Sequence, residues 1–339
     1  MSGRVVRWLL SLGLPASSRT RGAARLTIVR HHRVYARGER RLYHLGVSDA
    51  VLEAQVVACV RSGLTPVTVA EGFAWLRSGA QGHRVAFTFD DGYADNAERA
   101  VPLLAKHGAR ATFYLTAGLM GSRRAPWWDE LAWVLEQADR KSFGFTLPGG
   151  DIALDLSSSA GRHAALMALL PALRLAPAEQ RARLEALRDA AGVSAPAPCE
   201  LADWTLARRF TQSGMEVGAH TMSHPFLTLL APADQAREIA DSVQEIRTRL
   251  GAEVTGLAYP NGDHDARTIQ AARAAGLMYA VTTQAGDSRA ASDAFALPRR
   301  ALTEGACLGP GGRFSARMMR AELGGAFDSL RGRRAELAS

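Results

Sequence analysis

The sequence contains few cysteines and almost no lysine. Its three cysteines, Cys59, Cys199 and Cys307, are far apart, and none belongs to a Cys-x-x-Cys pair. This argues against a disulfide framework and against a thiolate zinc site. Only Lys106 and Lys141 are lysines among the 41 basic residues, so the basic character comes from arginine. No stretch approaches the roughly 18 uninterrupted apolar residues of a membrane-spanning helix.

The composition is that of a globular protein. Hydrophobic residues make up 47% of the 339 residues and charged residues 22%, which excludes a disordered chain and a collagen-like repeat. The length suits one large α/β domain with an insertion. The formal net charge of +8 favours an anionic glycan, a phosphate or a lipid headgroup as a partner. Because no basic stripe is interleaved with aromatic residues, we do not expect nucleic acid to bind.

Residues 1–24 form a separate N-terminal segment. Arg4 and Arg7 precede a short apolar run at 8–14. A run of about seven residues is the lower limit of a signal-peptide core, and no Ala-x-Ala cleavage site follows it. The alternative is a short amphipathic helix that contacts a membrane surface. We therefore expect a cytoplasmic or membrane-peripheral protein, and a periplasmic location stays open.

From residue 25 onward the sequence alternates between short β-type runs and helical stretches, which is typical of a parallel sheet covered by helices. The predicted strands are residues 26–30, 65–69, 84–89, 111–116, 216–219, 256–259, 279–283 and 295–297. The predicted helices are residues 48–63, 96–108, 233–251 and 265–276. Seven or eight strands in this pattern predict an α/β barrel domain over residues 25–308.

Two segments depart from this alternation. Residues 126–198 begin with a Trp-Trp-Asp helix at 127–138 and continue as an Ala-, Leu- and Arg-rich stretch to residue 191. They predict a helical insertion, and Pro196 and Pro198 restrict the backbone where the chain returns to the barrel. Residues 309–339 are rich in glycine and arginine and predict a basic, solvated C-terminal tail.

The first chemical motif is a pair of adjacent carboxylates, Asp90 and Asp91, after the apolar run at 85–89 and before Gly92. Adjacent strand residues point to opposite faces. At the carboxyl end of a barrel strand, where the pleat ends, one carboxylate can ligate a metal ion while the other reaches a metal-bound water. The alternative is that the pair caps the next helix or binds a hydrated cation.

The second motif places His220 and His224 after the predicted strand at 216–219. On a helical turn, positions i and i+4 share a face. Two neutral imidazoles and one carboxylate form the ligand set of an open catalytic Zn²⁺ or similar divalent site. The alternative is a pair of hydrogen-bonded histidines that closes a loop.

A third segment, Tyr259-Pro260-Asn261-Gly262, follows another predicted strand. Its proline stiffens a turn that can hold backbone N–H groups toward a ligand, where they would stabilise an oxyanion. The alternative is an ordinary loop.

In this order, the segments 88–92 (Thr-Phe-Asp-Asp-Gly), 220–225 (His-Thr-Met-Ser-His-Pro) and 259–262 resemble the successive motifs of the polysaccharide deacetylase superfamily, carbohydrate esterase family 4. The resemblance covers roughly residues 25–305. It implies a distorted (β/α)7-type barrel and metal-dependent removal of N- or O-acetyl groups from a sugar.

The resemblance also implies roles for single residues. Asp91, His220 and His224 match the metal ligands. Asp90 matches the catalytic base, the backbone N–H of Asn261 matches the oxyanion donor, and Tyr259 lies at the substrate. The implied cofactor is a divalent metal ion, Zn²⁺ first, with Co²⁺ or Ni²⁺ as alternatives.

Two departures from the family pattern need replacements. The third motif usually begins with an arginine that orients the base, but Ala258 occupies that region, and our candidate for the role is Arg299. The late histidine of the family is absent, because no histidine follows His264. Residues 27–34 resemble the tyrosine-histidine strand end of exopolysaccharide-modifying members, so His32 is the candidate acid and His31 replaces the tyrosine. The alternative is that this is a basic surface segment.

Trp127, Trp128 and Trp204 are candidates to line the glycan cleft, because aromatic faces stack on sugar rings and relatives of this subgroup carry a similar tryptophan pair before the insertion. The alternative for each is core packing.

The leading hypothesis is a metal-dependent deacetylase that acts on N-acetylated amino sugars of a cell-envelope polysaccharide or its lipid-linked precursor. One rival is a cyclic imide or amide hydrolase on the same scaffold, since one fold hosts several chemistries. A second rival is a non-catalytic glycan-binding protein. The presence of Asp90, Asp91, His220 and His224 argues against the second rival.

Overall fold

The computed structural model describes residues 24–147 and 149–328. Its strands are β1 (Arg25–His31), β2 (Arg33–Tyr35), β3 (Gly46–Ser48), β4 (His83–Phe89), β5 (Ala111–Leu115), β6 (Ser142–Leu147), β7 (Gly150–Asp155), β8 (Glu216–Ala219), β9 (Gly256–Ala258), β10 (Tyr279–Val281) and β11 (Arg300–Ala301). Its helices are α1 (Asp49–Arg61), α2 (Val69–Arg77), α3 (Val101–Lys106), α4 (Trp127–Gln137), α5 (Ser159–Ala172), α6 (Pro177–Ala191), α7 (Trp204–Gln212), α8 (Pro232–Leu250), α9 (Ala266–Ala274) and α10 (Ala316–Leu323). A π-helical turn, Asn96–Ala100, precedes α3, and 3₁₀ turns cover Leu227–Leu229, Pro260–Gly262 and Glu304–Cys307.

A seven-stranded parallel sheet forms the centre of the fold. Its strand order is β10-β9-β8-β5-β4-β1-β11, and every neighbouring pair is parallel. Parallel sheets in α/β proteins are covered on both faces. Accordingly, all five residues of β5 and all three of β9 are buried. The carboxyl ends of these strands meet at one edge.

Residues 297–301 close the curled sheet. The Leu297 N–H donates to the Ala280 carbonyl at 2.9 Å, and the Thr282 N–H donates to the Leu297 carbonyl at 2.9 Å. Two residues after Pro298, β11 pairs with β1 at the opposite end of the sheet. The same short segment therefore contacts both ends, and we call it the closing segment. The prediction of a distorted (β/α)7-type barrel is confirmed.

The apolar residues divide into three main groups. A small cluster fills the barrel interior: Leu26, Ile28, Ala86, Tyr114, Ala258, Tyr279, Val281 and Leu297. The largest cluster lies between the sheet and the surrounding helices and includes Phe87, Phe89, Phe113, Phe210, Val217 and Ile246. A third belongs to the insertion and includes Leu131, Leu135, Phe145, Leu166 and Leu187.

Two of the predicted strands are wrong. Residues 65–69 contribute only an isolated bridge between Val67 and Ala86. The reason is the sequence that follows, because Thr68 and Glu71 form a reciprocal capping box that starts α2 at Val69. Residues 295–297 likewise contribute only a bridge between Leu297 and Val281.

The sequence predicted a purely helical insertion, and this prediction is wrong. It consists of α4, the antiparallel hairpin β6–β7, α5 and α6. The apolar residues Phe143, Phe145 and Leu147 recur at every second position, which is typical of a strand. In β6, Phe145 is buried and its neighbours are more exposed. The third apolar cluster shows that the insertion has a core of its own.

The prediction of a solvated tail from residue 309 is wrong for α10. Met318, Met319 and Leu323 on this helix are buried, and Met319 and Leu323 belong to the largest apolar cluster. The spacing of these residues is helical, so one face packs on the barrel. The predicted N-terminal segment, apart from residue 24, lies outside the described residues. Among the described residues, no helix is both long and apolar enough to cross a membrane.

Candidate active site

The candidate site is a cavity of about 460 Å³ at the carboxyl ends of the barrel strands. Residues that follow β1, β4, β8 and β9 line its floor, namely His32, Asp90, Asp91, His220, Tyr259 and Asn261. The insertion and neighbouring loops contribute Tyr43, Trp127, Trp128, Leu170, Arg174 and Phe226. A barrel therefore brings together residues that are distant in the sequence.

Asp90 and Asp91 both reach this cavity, although they are adjacent in the chain. Asp90 continues the strand ladder, since its N–H donates to the His31 carbonyl at 3.0 Å. Asp91 departs from the strand with φ of 76°. This left-handed conformation, uncommon for a residue other than glycine, turns the second carboxylate to the same side as the first.

His220 and His224 are brought together by an irregular loop, so the helical turn predicted from their spacing is wrong. Thr221 and His224 have φ values of 66° and 57°. The Thr221 hydroxyl accepts a hydrogen bond from the His224 N–H at 3.0 Å. Glu238 on α8 accepts from the N–H groups of residues 222 and 223. Side-chain acceptors replace the missing helical hydrogen bonds and fix the loop.

Asp91, His220 and His224 form a compact three-ligand cluster. Their donor atoms lie within 4.8 Å of one another. Asp91 Oδ1 is 3.4 Å from His220 Nε2 and 3.7 Å from His224 Nε2. Two ligands of a tetrahedral zinc ion, each about 2.0–2.2 Å from the metal, lie roughly 3.3–3.6 Å apart.

The hydrogen bonding of the cluster also fits a metal ion. His220 Nδ1 contacts the Ala258 carbonyl at 2.6 Å, which leaves Nε2 directed to Asp91. Such a second contact orients a ligating histidine. Asp91 Oδ1 and His224 Nδ1 are buried and have no hydrogen-bond partner among the described residues. A divalent cation between these ligands would satisfy the buried carboxylate oxygen.

Burial and nearby charges shift the pKa values of the three ligands. Burial lowers the pKa of His224 to about 3, so its imidazole is neutral near pH 7. For Asp91, burial raises the pKa, but the neighbouring histidines, His220 first, outweigh it and the pKa is lowered. For His220, burial lowers the pKa, but Asp91 and Asp90 raise it above its ordinary value. A cation and a proton therefore compete for His220.

Asp90 is held by Arg299 in a two-point ion pair. Arg299 Nη1 donates to Asp90 Oδ1 at 2.7 Å, and Nη2 donates to Oδ2 at 2.8 Å. The guanidinium is itself fixed by the Thr282 carbonyl and the Thr88 hydroxyl. Burial raises the pKa of Asp90, but Arg299 outweighs it and holds the pKa well below its usual range. Arg299 thus lies where an orienting residue for Asp90 is required, on the closing segment.

His32 lies at the same site and His31 does not. His32 Nε2 is 3.9 Å from Asp90 Oδ2. Burial lowers the pKa of His32, although the charges of Asp91 and Asp90 raise it. His31 points to the opposite side, where it packs against Phe87 and Phe89. The alternation of side chains at the end of β1 explains the difference.

Asn261 and Tyr259 also line the cavity. Asn261 adopts φ of 56° inside the turn after β9, and its carbonyl accepts from the Thr283 hydroxyl at 3.1 Å. Tyr259 is fully buried and lines the cavity, and its hydroxyl donates to the Phe295 carbonyl at 3.1 Å. Both residues therefore border the same cavity as the ligand cluster.

The three candidate tryptophans differ in whether they line the cavity. Trp127 and Trp128 line the cavity, but Trp204 does not. It is the first residue of α7 and packs beside the largest apolar cluster, with the Arg249 guanidinium 5.9 Å from its ring. The expected sugar contact of Trp204 is therefore corrected to core packing.

A buried hydrogen-bond chain behind His224 was not predicted from the sequence. The Trp128 ring lies 4.2 Å from the His224 ring, measured between centroids. Trp128 Nε1 donates to the Tyr93 hydroxyl at 2.7 Å, and that hydroxyl donates to Asp129 at 2.9 Å. Burial raises the pKa of Asp129 to about 7. Tyr93 follows the Asp-Asp-Gly motif and Asp129 follows the tryptophan pair, but no pattern in the sequence connects them.

We expect Tyr93→Phe to weaken metal binding about tenfold. The change removes the partner that fixes Trp128, and residues that orient a metal ligand typically contribute 10- to 100-fold in affinity. Competition of Zn²⁺ between the protein and a chromophoric chelator measures the effect. Tyr35→Phe is the matched control, because it removes another buried hydroxyl, which accepts from Leu45 N–H. An equal loss in both variants, or none in Tyr93→Phe, would contradict the prediction.

Comparison with known proteins agrees with the family resemblance of the sequence motifs. The sequence model of the polysaccharide deacetylase family matches residues 77–280, more than half of the chain. Over 98 residues the chain is 30% identical to the Bacillus subtilis protein named "Putative polysaccharide deacetylase YxkH", a stretch that covers 29% of this chain and 35% of that protein. The matched stretch thus spans about a third of this relative.

The chain shares its fold with several solved structures, among them the following two. The deacetylase PplD from Streptococcus pyogenes, solved with acetate, superposes with a TM-score of 0.56 at 18% identity and covers 89% of this chain and 99% of that one. IcaB from Ammonifex degensii gives a TM-score of 0.56 at 18% identity, with 89% and 97% covered. At this identity the likeness establishes the architecture only.

Proposed function

Because the chain belongs to the polysaccharide deacetylase family, we propose that it removes acetyl groups from N-acetylated amino sugars of a cell-envelope polysaccharide or its lipid-linked precursor. The proposal rests on one observation: the same cavity contains a cluster of metal ligands and a separate carboxylate that can act as a base. Asp91, His220 and His224 form a cluster that suits a divalent ion, and Asp90 lies beside it without joining it.

The ligand set favours Zn²⁺, because two imidazoles and one carboxylate leave a coordination position open to water and substrate. Co²⁺ and Ni²⁺ accept the same donors. When bound, the ion supplies a Lewis acid that polarises the acetyl carbonyl and makes water more acidic.

Asp90 accepts the proton of the attacking water. Arg299 holds both of its carboxylate oxygens, so the base has one orientation. Since the pKa of Asp90 is held well below its usual range, the carboxylate is ionised at any working pH and is a weak base. It therefore depends on a water that is already acidified.

His32 delivers a proton to the departing amine. Its Nε2 lies 3.9 Å from Asp90 Oδ2, so a proton taken by Asp90 has a short path to the leaving nitrogen. The N–H of Asn261 donates to the carbonyl oxygen as negative charge develops there. A bond forms between the water oxygen and the acetyl carbon, the carbon–nitrogen bond breaks, and the products are acetate and a free amine.

The sugar ring is expected to lie against Trp127 and Trp128, whose rings meet edge to face at 5.6 Å. Tyr259 completes the wall of the cavity. Aromatic surfaces of this kind bury the apolar faces of a sugar. A cavity of about 460 Å³ is large enough for a small ligand group and is open to a longer chain.

The test is acetate release from an N-acetylglucosamine pentamer. We expect release by the Zn²⁺-loaded protein, loss after chelation and recovery when Zn²⁺ is restored. Asp90→Asn should remain inactive after the same treatment. Turnover of a small cyclic imide without acetate would indicate the amide hydrolase instead. Glycan binding without any acetate release, unchanged in Asp91→Ala, would indicate a non-catalytic binding protein.

A further inference from the structure

The side chain of Arg30 is a cation in the active-site cavity that has no partner within the described part of the chain. It lies two residues before His32 on β1, and both side chains line the cavity. Arg30 is half-buried. Among residues 24–147 and 149–328 its side chain has no hydrogen-bond partner and no ion pair.

Buried arginines elsewhere in the described structure are all paired with carboxylates. These are Arg25 with Asp287, Arg33 with Asp95 and Glu200, Arg299 with Asp90, and Arg300 with Asp287 and Asp328. Removing a guanidinium from water is costly unless an anion or several acceptors replace the water. Arg30 departs from this pattern at the position where a substrate would lie.

The described lining of the cavity offers no carboxylate that is free to pair with Arg30. Asp90 and Asp91 are the two carboxylates of its described lining. The first is held by Arg299 at both oxygens, and the second belongs to the ligand cluster. Arg174, another arginine of the lining, donates to Asp263 at 2.7 Å.

Nearby charge does not remove the charge of Arg30. Burial and the neighbouring Arg299 lower its pKa from 12.5. An arginine nevertheless stays protonated under working conditions. The cavity therefore presents a permanent, partly desolvated positive charge that faces the substrate.

We propose that Arg30 binds an anionic group of the substrate, a carboxylate or a phosphate, next to the N-acetylated sugar. The inference rests on the proposed deacetylase function. A planar guanidinium matches two oxygens of either group. A neutral homopolymer of N-acetylglucosamine offers only hydroxyl and amide groups at this place. The anion has two sources, a uronate in the polymer or the diphosphate of a lipid-linked precursor.

The experiment compares matched charged and neutral substrates on the full-length, Zn²⁺-loaded protein. The uronate pair is a tetrasaccharide of alternating N-acetylglucosamine and glucuronate and its carboxyl-reduced form. The phosphate pair is N-acetylglucosaminyl diphosphoryl farnesol and farnesyl N-acetylglucosaminide, which keeps the lipid and lacks the diphosphate. Acetate release gives kcat and KM for the wild type, Arg30→Gln, Arg30→Lys and Arg84→Gln. Arg84 is an exposed arginine on β4 outside the cavity, so its variant has the same net charge as Arg30→Gln.

We expect the wild type to prefer one charged substrate about ten- to a hundredfold in kcat/KM, mainly through KM. Arg30→Gln should lose the preference, because kcat/KM falls far more for the charged substrate than for the neutral one. Arg30→Lys should keep part of the preference, and Arg84→Gln should keep all of it. A preference for the uronate identifies the polymer as the source of the anion, and a preference for the diphosphate identifies the precursor. Equal use of charged and neutral substrates by the wild type would overturn the inference while the deacetylase function stood. An equal fall in kcat on both substrates in Arg30→Gln would also overturn it, because Arg30 would then act through His32.

Direct binding to the metal-free protein separates this inference from the proposed function. Calorimetry with the charged and reduced tetrasaccharides and with the diphosphate requires no turnover. Tighter binding of a charged ligand, lost in Arg30→Gln, supports anion recognition even if no substrate releases acetate. Equal binding of charged and neutral ligands, with thermal unfolding showing a folded protein, would contradict it.

Discussion

His220→Ala should abolish both metal retention and acetate release. The imidazole supplies one of three ligands in a buried cluster, and its Nδ1 is already oriented by the Ala258 carbonyl. A four-ligand structural zinc site binds with about 10–16 kcal/mol, so each ligand accounts for roughly 3 kcal/mol and its loss for a hundredfold or more in affinity. Alanine leaves two ligands, too few to hold the ion through desalting.

Metal analysis checks this expectation. After incubation with Zn²⁺ and desalting, the wild type should retain about one ion per chain and His220→Ala almost none. His163→Ala is the matched control, because it removes an exposed histidine on α5. Retained metal in His220→Ala would show that other residues hold the ion. Absence of metal in the folded wild type would contradict the metal site itself.

Arg299→Ala should have the largest effect on stability. It leaves Asp90 as an uncompensated buried charge, since both residues are about 2% exposed. Breaking a buried ion pair on one side typically costs about 3–5 kcal/mol. Urea unfolding of the metal-free protein should therefore show a free energy of unfolding lower by that amount. Arg299→Met combined with Asp90→Leu should recover much of it, because no charge is then left alone.

The stability difference between wild type and Arg299→Ala should depend on pH. The folded-state pKa of Asp90 is depressed, so its contribution is present above the ordinary carboxyl pKa near 4 and is lost as the pH falls below it. The difference should be largest near pH 7 and should narrow from about pH 5 downward. A difference that is constant with pH would indicate lost packing of the Arg299 side chain rather than a lost ion pair.

Much of the site could be predicted from the sequence, because its residues come directly after predicted strands. Asp90, Asp91, His220, His224 and Asn261 each follow a short apolar strand, and parallel strands end at one edge. Arg299 could be anticipated because the family resemblance implies an arginine that orients Asp90, and Ala258 occupies the usual position of that arginine.

Features that depend on irregular backbone could not be predicted. The described non-glycine residues with positive φ are Asp91, Thr221, His224 and Asn261, and all of them belong to the site or adjoin it. Such conformations cost of order 1 kcal/mol or more and have no periodic signature. The helical turn predicted for the two histidines failed for this reason.

Contacts between residues that are far apart in the sequence could not be predicted either. Trp204 resembles the other tryptophans in the sequence, but its helix turns it to the core. The buried face of α10 was obscured by the glycine- and arginine-rich composition around it. Arg30 is one arginine among many in the sequence, and only the structure shows that its side chain has no partner among the described residues.

The closing segment has a consequence for how the protein folds. Arg299 and Asp90 are separated by 209 positions in the chain, whereas the strands β4, β5 and β8 pair nearer to one another in sequence. Contacts between distant positions carry a larger entropy of loop closure and form late. The metal ligands and the groups that orient them, Glu238 and the Ala258 carbonyl, all precede the closing segment, so they can assemble before that segment joins β10 to β1. During refolding, metal uptake should therefore precede the return of activity, and the delay between them measures the time at which the barrel closes.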